Sequence, residues 1–119
     1  MLKIYTLAQC STCRDATNWL RAHGHAFDER AIRETPPTPA ELRAMLAAHD
    51  GNLRKLFNSS GIEYRALKIA EQLPALTAAE ALALLAGNGR LVKRPFLLGP
   101  GVALVGFDAA KWAAALPPR

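Results

Sequence analysis

No stretch of this 119-residue sequence stays apolar for the ~20 residues that a membrane-spanning helix needs. Its opening Met1-Leu2-Lys3 runs straight into an alternating segment, where a signal peptide would have a basic region and an apolar core. Neither a membrane anchor nor export is therefore expected, and the expected location is the cytoplasm. Aromatic residues are few and dispersed, with four Phe, two Tyr and two Trp, and the basic residues form no arginine-rich block. A base-stacking platform or a direct nucleic-acid ligand is thus not expected. Only two cysteines and three histidines are available. A zinc finger needs a second ligand pair beside Cys-x-x-Cys; His23 and His25 have one residue between them and lie too near to supply it, so no metal site is expected.

What remains is half hydrophobic and carries a formal charge of +5. That size and composition fit one domain, residues 1–119, with a single core. The charge could draw anions or acidic partners, although most of it reads as solvated helix face. The two cysteines stand together as Cys10-Ser11-Thr12-Cys13. Before them, Leu2-Lys3-Ile4-Tyr5-Thr6-Leu7 alternates like a strand. After them, Ala16, Trp19 and Leu20 recur at helical spacing until His23-Gly24 stops the pattern. The dithiol so falls at a strand-to-helix junction, with Cys10 at the helix N-terminus near free N–H groups and the positive dipole end, and Cys13 in the first turn. Thiols in such places are commonly more acidic than the free value of ~8.5, which favours the nucleophilic thiolate. Half a zinc site and two buried thiols are the competing readings of the pair. The strand-loop-helix setting favours a redox or nucleophilic dithiol, and in a reducing compartment a lone pair reads as catalytic or sensing, not as a permanent staple.

His25 to Ile32 reads as a second strand of edge character, completing a βαβ unit. Thr35-Pro36-Pro37 is a turn, and Thr38-Pro39-Ala40-Glu41 joins an N-cap, a first-turn proline and a capping-box glutamate. Leu42, Met45 and Leu46 form the buried stripe of that helix, which ends at His49-Asp50-Gly51. Broken helical patterns follow: Leu53, Leu56 and Phe57 pack, Asn58-Ser59-Ser60-Gly61 interrupts, and Tyr64, Leu67 and Ile69 resume. Thr77-Ala78-Ala79-Glu80 is a further capping box, opening a helix that runs to Gly87-Asn88-Gly89. From Leu91 the period becomes two, and Pro95 starts a strand through Leu98. Gly99-Pro100-Gly101 turns the chain, and Val102–Val105 returns as the second arm of a hairpin. Asp108 caps a last helix with Trp112 on its apolar side. The expected architecture is α/β: a mixed four-stranded sheet, βαβ then ββα, with an all-helical insertion over about 38–88. No repeat or linker divides it.

Three segments carry a family resemblance. They are the strand leading to Cys10-Ser11-Thr12-Cys13-Arg14; Leu56-Phe57-Asn58-Ser59-Ser60-Gly61-Ile62-Glu63-Tyr64-Arg65; and Gly89-Arg90-Leu91-Val92-Lys93-Arg94-Pro95-Phe96, with Val105-Gly106-Phe107 closing the hairpin. With them the chain resembles the ArsC/Spx family, the arsenate-reductase-like branch of the thioredoxin fold, over nearly its whole length. The resemblance implies that Cys10 is the nucleophile, that Arg94 reaches over the dithiol and that the Arg94–Pro95 bond is cis. Arg14, in the first turn, would add positive potential near Cys10 on its own account, and Arg14, Asn58 and Pro95 are the expected substrate-binding residues.

Arg94 has a physical case of its own, since a guanidinium favours a thiolate and can grip an oxyanion with two parallel hydrogen bonds. A solvated hairpin residue is the alternative for it. Tyr64 and Arg65 read as structural. Arsenate-reducing members carry two further arginines where this chain has Asn58 and Gly106, so an arsenate pocket here would be short of charge. Cys13 is expected to act instead as a resolving thiol that displaces product and closes an internal disulfide. The expected substrate is a disulfide or a glutathione adduct. No bound cofactor is expected; glutathione, or a protein of glutaredoxin or thioredoxin type, would restore the dithiol, and the chain is expected to work as a monomer. The alternative within the family is an Spx-like redox sensor, whose Cys-x-x-Cys is an oxidation switch and whose partner is the α subunit of RNA polymerase. The absence of a long extension after Trp112 leans toward the reductase-like branch.

Overall fold

A computed structural model describes residues 1–116, which pack as two compact units. One holds residues 1–31 and 94–116, the other residues 32–93. The first unit is built on four strands, β1 (Leu2–Thr6), β2 (Phe27–Ala31), β3 (Phe96–Gly99) and β4 (Val102–Val105), in the order β2-β1-β3-β4. β1 runs parallel to β2, pairing Leu2 with Phe27 and Thr6 with Ala31, and antiparallel to β3, pairing Ile4 with Leu97. β3 and β4 form the antiparallel hairpin. This is the thioredoxin-like arrangement that the resemblance implies, with the strand leading to the dithiol at the centre. The Asp28, Glu29 and Arg30 charges sit on β2, which is an edge, as its composition suggested.

Helix α1 (Ser11–Ala22) crosses from β1 to β2. Its buried residues Cys13, Ala16, Thr17 and Leu20 recur at three- and four-residue steps, the stripe that an amphipathic helix turns to a sheet. Leu2, Ile4, Ala16, Leu20, Leu97, Trp112 and Leu116 form the core of this unit, fringed by Trp19, Phe27, Val102, Leu104 and Phe107. Burial of such a set is the main stabilising term available to a unit this size.

The second unit is helical throughout: α2 (Pro39–Ala48), α3 (Ile62–Ala66), α4 (Ile69–Gln72) and α5 (Ala78–Gly87), with 3₁₀ turns at Leu53–Leu56, Leu73–Ala75 and Gly89–Leu91. Both expected capping boxes are present. Thr38 Oγ1 accepts from the Glu41 N–H at 3.2 Å while Glu41 Oε1 accepts from the Thr38 N–H at 2.9 Å, and Thr77 and Glu80 repeat the exchange at 3.1 and 2.8 Å. Phe57 and Val92 form an isolated antiparallel bridge, flanked by Asn58 N–H to Leu91 O at 2.7 Å and Lys93 N–H to Leu56 O at 2.8 Å. The second and third resemblance segments are thereby sewn together by backbone.

Two local expectations change. The strand expected to start at Pro95 begins at Phe96, and the period-two run expected from Leu91 does not pair as strand: residues 89–91 form a 3₁₀ turn, Val92 makes an isolated bridge with Phe57, and Pro95 stands just before the ladder. A proline lacks the N–H that a ladder position needs. Leu67, expected in the buried stripe, is 45% exposed, while Tyr64 and Ile69 are buried. Lys68, at φ +53°, breaks the helical register between α3 and α4, so the three residues do not share one face.

Candidate active site

Cys10 is the N-cap of α1. Its φ and ψ of −93° and 110° are extended, its carbonyl accepts the Arg14 N–H at 3.1 Å, and its sulfur accepts the Cys13 N–H at 3.2 Å. A thiolate here would receive a backbone hydrogen bond and the favourable end of the helix dipole together. No acidic residue stands in the first turn of the helix to oppose it. The loop holding Cys10 is itself tied back to β1, since the Cys10 N–H donates to Leu7 O at 3.0 Å. Cys10 is half-buried, with exposed Ala8, Gln9, Ser11 and Thr12 about it, so a reagent in solution has access to it.

Cys13 is different. It is 2% exposed, and burial, with a hydrogen bond and unfavourable charge from Cys10, pushes its thiol up from the ordinary 9.0 to about 12. A backbone hydrogen bond at Leu7 and the charge of Arg94 pull the other way without overcoming burial. Both cysteines are free thiols. The two thus form a pair of unlike members, one at the surface at a helix start and one sealed beneath it as a neutral thiol.

Arg94 is half-buried, and its guanidinium lies within electrostatic range of Cys13. The Arg94–Pro95 bond is cis, as the resemblance implies. Pro95 is buried and its carbonyl accepts the Gly106 N–H at 2.9 Å. Arg14 lies exposed in the first turns of α1 with its backbone N–H on Cys10. Cys10, Cys13, Arg94 and Pro95 are therefore assembled within the sheet unit. Asn58 belongs to the helical unit, where its carbonyl accepts the Gly61 N–H at 3.0 Å. Tyr64 packs edge-on against Phe57, and Arg65 Nη2 donates to Ser60 O at 2.8 Å, which fits structural roles. Gly106 has φ +70°, a conformation that side chains other than glycine's resist. The sequence could flag Gly106 only as a missing arginine; its hydrogen bond to Pro95 and the part played by the Leu7 backbone have no side-chain signature.

A polar cleft of about 340 Å³ in the helical unit is lined by Arg33, Glu34, Glu63, Asn88 and Arg90 among others. Its central carboxylate is already occupied, with Arg90 Nη1 on Glu63 Oε1 at 3.1 Å and Asn88 Nδ2 on Glu63 Oε2 at 3.4 Å. Among the described residues no group of three His, Cys, Asp or Glu side chains converges as metal ligands.

Comparison with known proteins places these features in company. The model of the ArsC family matches residues 5–115. The uncharacterised Bacillus subtilis protein YusI is 41% identical over 106 residues, which cover 89% of this chain and 90% of YusI. The global transcriptional regulator Spx of Enterococcus faecalis is 30% identical over 108 residues, or 91% of this chain and 80% of its own. A solved structure described as a possible arsenate reductase from Streptococcus mutans superposes with a TM-score of 0.85 at 37% identity, covering 92% of each chain.

Proposed function

The chain belongs to the ArsC family, and we propose that it is a thiol–disulfide oxidoreductase in which Cys10 attacks and Cys13 resolves. The observation that carries this reading is the inequality of the two thiols: Cys10 is accessible at the N-cap of α1, whereas Cys13 is buried and held neutral. Two equivalent buried thiols would have suggested structure, and two exposed ones a site without direction.

In the first step the Cys10 thiolate attacks one sulfur of a disulfide R–S–S–R′. A Cys10–S–S–R bond forms, the old S–S bond breaks, and R′–S⁻ leaves with the electron pair. The Cys13 thiol then loses its proton to solvent and attacks the Cys10 sulfur, forming the internal disulfide and expelling R–S⁻. Two electrons have passed from the dithiol to the substrate. Glutathione or a dithiol protein, donating two electrons, returns both cysteines to thiols. Arg94 supplies positive charge beside the sulfurs as negative charge moves among them. The substrate class is a disulfide or a glutathione adduct. Arsenate suits the site poorly, because Gly106 stands where the resemblance sets an arginine in arsenate-reducing members.

A second reading has its own support, since a relative named a global transcriptional regulator aligns with 91% of this chain at 30% identity. In it the same dithiol is an oxidation switch and the partner is the RNA polymerase α subunit. Co-purification with polymerase only after oxidant treatment would favour that reading.

The direct test of the assigned roles is differential alkylation. At pH 7, iodoacetamide should label Cys10 well before Cys13, read by peptide mass. Faster labelling of Cys13 would reverse the roles and overturn the mechanism.

A further inference from the structure

We propose that Trp112 is a positioning residue for this site: its indole N–H holds the backbone of Gly106, which in turn holds Pro95 and so keeps Arg94 at the dithiol. The proposal rests on the thiol–disulfide reading and deepens it.

Arg94 lies beyond the end of the ladder, whose last pair is Phe96 with Val105. Hairpin ends fray unless something past the ladder restrains them. Here the restraint continues for one more step on each arm, as the Gly106 N–H donates to Pro95 O at 2.9 Å. The Gly106 carbonyl belongs to the next peptide, joined to that N–H through a residue at φ +70°. Trp112 fixes that carbonyl, and with it the turn at Gly106: Nε1–H donates to Gly106 O at 3.1 Å. The indole is 1% exposed, so without that carbonyl its N–H would be a buried donor lacking an acceptor.

The same ring also faces the cysteine-bearing helix. It sits edge-on to Trp19 of α1 at 6.0 Å between centroids, and to Phe107 at 4.9 Å. Helix α6 (Ala109–Ala115), which carries Trp112, is anchored by Asp108 Oδ1 accepting the Lys111 N–H at 3.1 Å. One side chain therefore sets α1, with its dithiol, in register with the strand end that carries Arg94. A phenylalanine could fill most of this space but could not hold the Gly106 carbonyl.

The experiment is a double-mutant cycle read by the rate of Cys10 alkylation at pH 7. In the unaltered background Arg94→Ala should slow the reaction about fivefold, the scale of one partly screened charge. In Trp112→Phe the same Arg94→Ala change should matter less than about twofold, because Arg94 has already lost its place. Leu116→Ala, a core truncation on the same side of the unit, should lower the melting temperature yet preserve the full Arg94 effect. An equal Arg94 effect with and without the indole overturns the proposal and leaves the function standing. An absent Arg94 effect in the unaltered protein overturns the role of Arg94 in both. Should Trp112→Phe fail to fold, amide and indole hydrogen exchange of the unaltered protein decides. The Gly106 amide and Trp112 indole protons should both be strongly protected, and an indole proton exchanging at the rate of free tryptophan contradicts the link.

Discussion

Closing of the Cys10–Cys13 disulfide should accelerate about tenfold for each unit of pH from 6 to 9, with no plateau. Cys13 must shed its proton to attack, and burial holds that proton on up to about pH 12. The whole assay window lies below this value, so the thiolate fraction rises with a slope of one. A more basic thiolate is also a better nucleophile, with a Brønsted coefficient of ~0.4–0.5. Of the three decades of thiolate lost between the ordinary 9.0 and about 12, roughly 1.5 are thereby recovered. The net handicap against an ordinary thiol is at most about thirtyfold, which the adjacency of the two sulfurs offsets. In the mixed disulfide Cys10 no longer offers its hydrogen bond or its charge to Cys13, but burial, the largest cause, persists. The assay loads Cys10 with a chromogenic aryl disulfide at low pH, jumps the pH, and follows release of the second aryl thiol. Cys13→Ser should release only the first equivalent. A resolution rate that levels off below pH 8 would refute the buried-thiol reasoning.

Stability should carry the same signature: the contribution of Cys13 is fully present below pH 9 and lost as the pH rises through about 12, because the folded protein keeps a proton that the unfolded chain releases. The loss is on the order of 4 kcal/mol at its limit, and urea melts of Cys13→Ala should lack that slope. Gly89→Ala should destabilise by about 3 kcal/mol or more, since an added Cβ would lie 1.9 Å from the carbonyl oxygen of Ile32; a native-like melting temperature would contradict this. Arsenate turnover with glutathione and glutaredoxin should be far below that of a three-arginine family member, each missing charge-assisted hydrogen bond costing about 1.5–3 kcal/mol. Restoring an arginine at Gly106 should not raise it, because a side chain there would be strained at φ +70°. Robust arsenate reduction by the unaltered protein would sink that reading.

Features written in local chemistry were legible in the sequence. The N-cap position of Cys10, both capping boxes and the β-hairpin each depend on a few neighbouring residues, and each stands where expected. Strand β2 shows its edge position through its charges. Features that depend on what packs from afar were not legible. Their places at the helix start told Cys10 from Cys13 in the sequence, but not how fully burial would seal Cys13. Leu67 matches a helical stripe, but a single residue at positive φ, Lys68, moves it to the surface. The Gly106 link to Pro95 is backbone to backbone, and Trp112 could be assigned to the core but not to a carbonyl partner.

The central assignment, Cys10 attacking and Cys13 resolving, is tested most directly by intact mass after brief exposure of the reduced protein to glutathione disulfide. The unaltered chain should lose two hydrogens as the internal disulfide closes, Cys13→Ser should instead retain one glutathionyl group on Cys10, and Cys10→Ser should remain unmodified. A glutathionyl group held on Cys13 of the Cys10→Ser chain, with Cys13→Ser left untouched, would contradict it.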